Sequence, residues 1–186
     1  MTCIAGYRAD PDNLYMGCDS FVGDTHTGFK LAGSKIKVFD NKLVIGGCGT
    51  VRGLNLMAKI NIDEVADPFH YIENVADAFR KTMYDNNAAA RKDNRDDSGC
   101  EFIVAWKNHL YTIGTDYCVY ELRYSYASTG SGFRVALGSM YTSQERDETR
   151  VLTALRAASE FTTTVRGPYK VVHLLKDQVF ITDFLG

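Results

Sequence analysis

The residue with the clearest capacity for chemistry is Thr2, directly behind Met1. Its side chain is small, so Met1 is expected to be removed, leaving a free α-amine beside the Thr2 hydroxyl. An α-amine titrates near about pH 7.7 to 8. At neutral pH a useful fraction can therefore take the hydroxyl proton, directly or through one water. Such a nucleophile also requires a cation to lower the hydroxyl's pKa, a carboxylate to hold that cation, and backbone N–H groups for an oxyanion. Strand ends and turns offer all three: Lys35 at the start of the third strand, Asp19 at the end of the second, and Gly47 in the bend after the fourth. Cys3, next to Thr2, reads as a buried residue and is the second candidate nucleophile.

Other groupings carry less. GGCGT (46–50) lies between a strand and a helix, but it lacks the spacing and the lysine of a phosphate loop. DNRDD (93–97) does not follow the register of a calcium loop and reads as solvated. His26, His70, His109 and His173 are scattered, without the paired spacing of a zinc site. No metal or cofactor is expected.

These groups must be held by the elements around them. TCIAGYR and LYMGCD are apolar runs joined by ADPDN, a hairpin expected to begin at residue 2. After a polar, glycine-containing stretch (22–34), KIKVF and KLVIGGC flank Asp40-Asn41 as a second hairpin. Ile36 and Val38 fall on one face of it, Lys35, Lys37 and Phe39 on the other. Leu54, Met57 and Ala58 suggest a short helix. After Asp67-Pro68, the spacing of Ile72, Val75, Ala76, Phe79 and Met83 predicts an amphipathic helix. NNAAARKDNRDDSG reads as a loop or frayed helix end. CEFIVAW and LYTIG form a hairpin, looser strand character runs from Tyr117 to Tyr126, and FRVALGS reads as one more strand. Val151, Ala154, Leu155 and Ala158 mark a final helix, followed by a closing hairpin around Lys176-Asp177. This order predicts an α+β fold of antiparallel sheets.

At 186 residues and 45% hydrophobic content the chain predicts a single domain over 1–186. A net charge of −2 without a basic stripe argues against nucleic acid and acidic membranes as partners. No run of about 18 apolar residues and no signal-peptide layout appear, so a cytoplasmic location is expected. Five cysteines without C-x-x-C spacing read as buried hydrophobes, not as a disulfide or zinc framework.

MTCIAGYR, GCDS, SKIKVF, LVIGGCG and VALGS follow one another as in the proteasome β-subunit family, and the chain most resembles its compact HslV-like branch. The resemblance implies the N-terminal nucleophile (Ntn) hydrolase fold: a four-layer αββα sandwich of two antiparallel sheets covered by helices. It implies a threonine-type endopeptidase in which Thr2 is the nucleophile and Asp19 and Lys35 support it. Gly47 would supply the oxyanion N–H, with Gly49 as the alternate register. Ser139 would orient the amine and its water. Glu160 would be the acidic residue of the last helix, with Thr162 or Thr163 as hydroxyl support. The short span between Ser139 and Glu160 predicts a shortened first helix there. Expected partners are a peptide or unfolded protein, further copies in a homo-oligomeric ring, and an AAA+ unfoldase. Two other readings stay open: an Ntn amidase or transpeptidase with a dedicated substrate, and an inactive ring protein of the same fold.

Overall fold

The computed structural model describes residues 2–23, 27–92, 95–176 and 178–185. Met1, His26 and Asp177 lie outside the described residues, as do Asp93 and Asn94 of the DNRDD stretch.

The chain opens with β1 (Cys3–Arg8) and β2 (Asn13–Asp19), the expected hairpin. The stretch read only as polar holds a small ribbon, β3 (Phe21–Gly23) with β4 (Gly28–Lys30). Next come β5 (Ile36–Phe39) and β6 (Leu43–Gly49), joined through Asp40 and Asn41 at φ 49° and 55°. Two consecutive left-handed residues match the right-handed twist of the flanking strands, and Asp and Asn tolerate that conformation.

Helix α1 (Val51–Met57) is capped by Thr50, whose side chain accepts the Gly53 N–H. Helix α2 (Pro68–Asp85) starts where Asp67 accepts the His70 N–H at 2.7 Å and Pro68 occupies the first turn. It buries Ile72, Val75, Phe79 and Met83, the face its spacing predicts. In place of the expected loop or frayed helix end, β7 (Ala90–Lys92) pairs with β8 (Arg95–Asp97). β9 (Cys100–Trp106) and β10 (His109–Ile113) form the next hairpin, followed by β11 (Val119–Glu121) and β12 (Tyr126–Gly130).

FRVALGS is a helix, not a strand. Helix α3 spans Phe133–Thr142 and buries Ala136 and Met140 at i, i+4. The alternation of Phe133, Val135 and Leu137 imitates a strand, but packing against the second helix selects the helical period. That helix, α4 (Glu148–Phe161), carries the predicted buried set Val151, Ala154, Leu155 and Ala158. The earlier helix has 10 residues against 14 in the later one, and it begins before Ser139 rather than after it. β13 (Tyr169–Leu175) and β14 (Gln178–Phe184) complete the chain.

The strands form two antiparallel five-stranded sheets, ordered β12-β1-β2-β13-β14 and β11-β10-β9-β6-β5. Alternate residues of each strand serve different layers. From β1, Cys3, Ala5 and Tyr7 pack under α3 and α4, while Ile4 faces the other sheet with Met16, Val44 and Ile103. From β6, Ile45 turns to α1 and α2, where Phe79 meets Phe102 edge-on at 5.1 Å. The result is the expected αββα sandwich. Its central strands are buried on both faces, hence their nearly continuous apolar runs. Among the described residues, no helix is long and apolar enough to cross a membrane.

Candidate active site

Thr2 stands at the mouth of the sandwich, just before β1, and is 3% exposed. Two strand registers hold it. Cys3 lies opposite Gly130 of β12, and Ile4 opposite Cys18 of β2. The second register carries Asp19 to the level of Cys3, whose N–H donates to Asp19 Oδ1 at 2.9 Å. Lys35 Nζ donates to the same oxygen at 2.8 Å and also to the Phe21 carbonyl. Asp19 Oδ2 accepts the N–H groups of Phe21 (3.1 Å) and Arg166 (3.5 Å).

The Asp19 and Lys35 side chains are 0% and 1% exposed. A buried ion pair is sustained only when further hydrogen bonds replace lost solvent. Three main-chain N–H groups on the carboxylate, those of Cys3, Phe21 and Arg166, meet that condition and set the position of the lysine to one geometry.

The other side of Thr2 is held by the turn after β12. Thr2 N–H donates to Ser131 Oγ at 3.2 Å, and the Thr2 carbonyl accepts from Ser131 Oγ and from the Gly132 N–H. Ser131 Oγ lies 2.8 Å from Thr164 Oγ1. Ser131 has one hydroxyl proton; when it points to the Thr2 carbonyl, Thr164 is the donor of the bond between the two hydroxyls. Gly130 has φ 91°, and a Cβ there would lie 2.3 Å from the Thr2 carbonyl oxygen. Only glycine allows this approach.

Thr2, Lys35, Gly47 and Gly49 open onto one cavity of about 260 Å³, with Ile45, Met57 and Phe102 among its apolar walls. Cys3 points the other way, into the core beneath α3 and α4. Burial pushes its thiol up to about 12, with the Ser128 hydroxyl opposing. The thiolate is the reactive form, so Cys3 is a protonated core residue and not the second nucleophile it could be in sequence.

Three expected site residues sit differently. Ser139 lies inside α3, where its carbonyl accepts the Ser143 N–H; the bond to Thr2 is made by Ser131. Glu160 is exposed on the last turn of α4. The segment after it reaches the site through the Thr164 hydroxyl and the Arg166 amide, while the Thr162 hydroxyl turns back to the Ala158 carbonyl at 2.7 Å. The Gly47 N–H donates to the Lys35 carbonyl at 3.0 Å, so it already serves the sheet. Gly49, the alternate register, ends β6 exposed at the cavity with φ 117°. Ser131 was legible only as the serine of Gly130-Ser131-Gly132, a pair of glycines around a hydroxyl at a strand-to-helix turn. Thr164 had no local signal. Among the described residues, no cluster of three or more His, Cys, Asp or Glu is arranged to hold a metal.

No family model and no curated protein matches the chain. Solved structures do. BPH from Thiobacillus denitrificans is 17% identical with a TM-score of 0.75, over 98% of each chain, and it has also been solved in complex with epoxomicin. An Anbu (Gly-1) mutant from Hyphomicrobium sp. strain MC1 is 12% identical with a TM-score of 0.79, over 100% of this chain and 88% of that one. HslV from Trypanosoma brucei is 17% identical with a TM-score of 0.67, over 94% of this chain and 99% of that one. The fold is therefore of the proteasome-like Ntn type.

Proposed function

We propose that the chain is a threonine-type endopeptidase whose nucleophile is Thr2, freed by removal of Met1. The observation that carries this reading is the buried Asp19–Lys35 pair beside a threonine whose own main chain is held by Ser131.

In the proposed reaction the Thr2 amine takes the proton of Oγ1, and Oγ1 attacks a peptide carbonyl carbon. Lys35, held by Asp19, favours the alkoxide as it forms. N–H directions alternate between the two edges of a strand. The Gly49 amide therefore leaves β6 on the same edge as that of Gly47, beyond the Lys35 carbonyl. This supports Gly49 as the oxyanion donor. Collapse of the tetrahedral intermediate breaks the C–N bond, and the Thr2 ammonium gives its proton to the leaving amine. Water then hydrolyses the acyl ester and restores Thr2. Ser131, bonded to Thr164, orients the amine.

Peptide or unfolded-protein substrate, a homo-oligomeric ring and an AAA+ feeder follow from the family resemblance. The test pairs intact mass of the protein made in cells with hydrolysis of fluorogenic peptides by wild type and Thr2→Ala. Loss of one methionine together with Thr2-dependent cleavage is expected. Retained Met1 without cleavage, with or without an unfoldase, would overturn the proposal.

A further inference from the structure

The cavity beside Thr2 is apolar in its depth but not in its charge. Strand alternation puts Lys35, Lys37 and their β6 neighbours on the face turned away from the inter-sheet core; Lys37 is opposite Ile45, and both line the cavity. Lys35 is neutralised by Asp19. Lys37 is half-buried and has no ion-pair partner among the described residues. No carboxylate is among the described lining residues, whereas the Asn55 amide is. The space thus joins an aliphatic wall of Ile45, Leu54 and Met57 to an uncompensated ammonium.

We propose that Lys37 makes this cavity selective for a substrate side chain with an apolar stem and an anionic tip, a glutamate-type residue on the acyl side of the bond cut at Thr2. The inference rests on the peptidase reading. An apolar side chain would fill the wall but strip water from the ammonium without replacing it. A cationic one would be repelled. A glutamate stem covers the aliphatic wall while its carboxylate accepts from Lys37 Nζ, a charge-assisted bond. Against the isosteric glutamine such a bond gives about tenfold discrimination or more. Lys35, just before β5, and Lys37 within it therefore divide their work, the paired lysine serving the nucleophile and the other the substrate.

The experiment uses the processed protein and peptides that differ only in having Glu or Gln at that position, with a Lys peptide added for the charge-reversed variant. Wild type should show a Glu/Gln ratio of kcat/KM of about ten or more, diminishing as NaCl is raised. Lys37→Met should bring the ratio to about one, and Lys37→Glu should invert preference toward Lys. Both peptides are read on the same sample, so a general loss of fold lowers both and leaves the ratio interpretable. A wild-type ratio near one, with the peptides cleaved, overturns the inference and leaves the peptidase reading standing. If no peptide is cleaved, that reading fails, and the same pair is compared as affinity for Thr2→Ala by fluorescence anisotropy. Tighter binding of the Glu peptide that is lost in Thr2→Ala/Lys37→Met then supports the selective cavity, and equal affinities overturn it.

Discussion

The candidate chemistry depends on a few side chains whose partners are far away in sequence. Asp19 accepts from Lys35, Cys3, Phe21 and Arg166, so its loss strands a buried ammonium. Asp19→Asn should cost about 3–5 kcal/mol of stability, measured by urea denaturation. Lys35→Met should lower kcat by about 100- to 1000-fold if it supports charge at the reacting oxygen. A finer test concerns Thr164, placed here as a positioning residue behind Ser131. Thr164→Val should reduce kcat by about tenfold with KM little changed, and Thr164→Ser should restore it. Of this cluster, Thr2, Asp19 and Lys35 were legible in sequence because each follows from what an amine-activated hydroxyl needs. Ser131 showed in sequence only as one Gly-Ser among three, with Gly33-Ser34 and Gly138-Ser139, and the pairing of β1 with β12 is what singles it out. The choice between Gly47 and Gly49 was equally closed to sequence, since it depends on where β5 begins beside β6.

At the level of elements, turns and faces were readable where local chemistry decides them. Asp40-Asn41 and Lys107-Asn108 both adopt positive φ, and both hairpins form as their flanking alternation predicts. Helix α3 was misread because its short apolar set fits either period; contact with α4 settles it. Arg150 of α4 donates from Nε and Nη2 to the Met140 carbonyl near the end of α3, and its guanidinium lies 4.4 Å from the Tyr7 ring centroid. These bonds tie both helices to β1. The fit of α4 on the sheet also depends on Gly17, where a Cβ would stand 2.5 Å from Val151 Cγ1 and 2.8 Å from Leu155 Cδ1. Gly17→Ala should therefore destabilise by about 1–3 kcal/mol through overpacking, seen as a lower urea midpoint with an unchanged slope.

For the whole molecule, the layered core sets limits of pH as well as of packing. Burial raises the thiols of Cys3, Cys18, Cys48 and Cys100 above their ordinary value of 9.0, Cys3 to about 12. It also raises the Tyr111 and Tyr117 phenols from 10.0 to about 12. In the unfolded chain these groups ionise first, so the stability they contribute is fully present below pH 9.0 and is lost as pH rises toward 12. His173, stacked on Tyr15 at 4.3 Å, is held below its ordinary 6.5 by burial. Its contribution is present above 6.5 and lost as pH falls through its lowered value. Urea midpoints across pH should therefore decline on both sides of a neutral plateau; a midpoint that keeps rising into alkali would contradict the burial of the thiols. The proposal that joins all three scales is that Thr2, once Met1 is removed, is the N-terminal nucleophile. Its most direct measurement is intact and peptide mass spectrometry after exposure to epoxomicin, the ligand of the Thiobacillus denitrificans neighbour. The account predicts one adduct per chain, on an N-terminal peptide that begins with Thr2 and is unmodified in Thr2→Ala. An N-terminal peptide that retains Met1 and carries no adduct would contradict it.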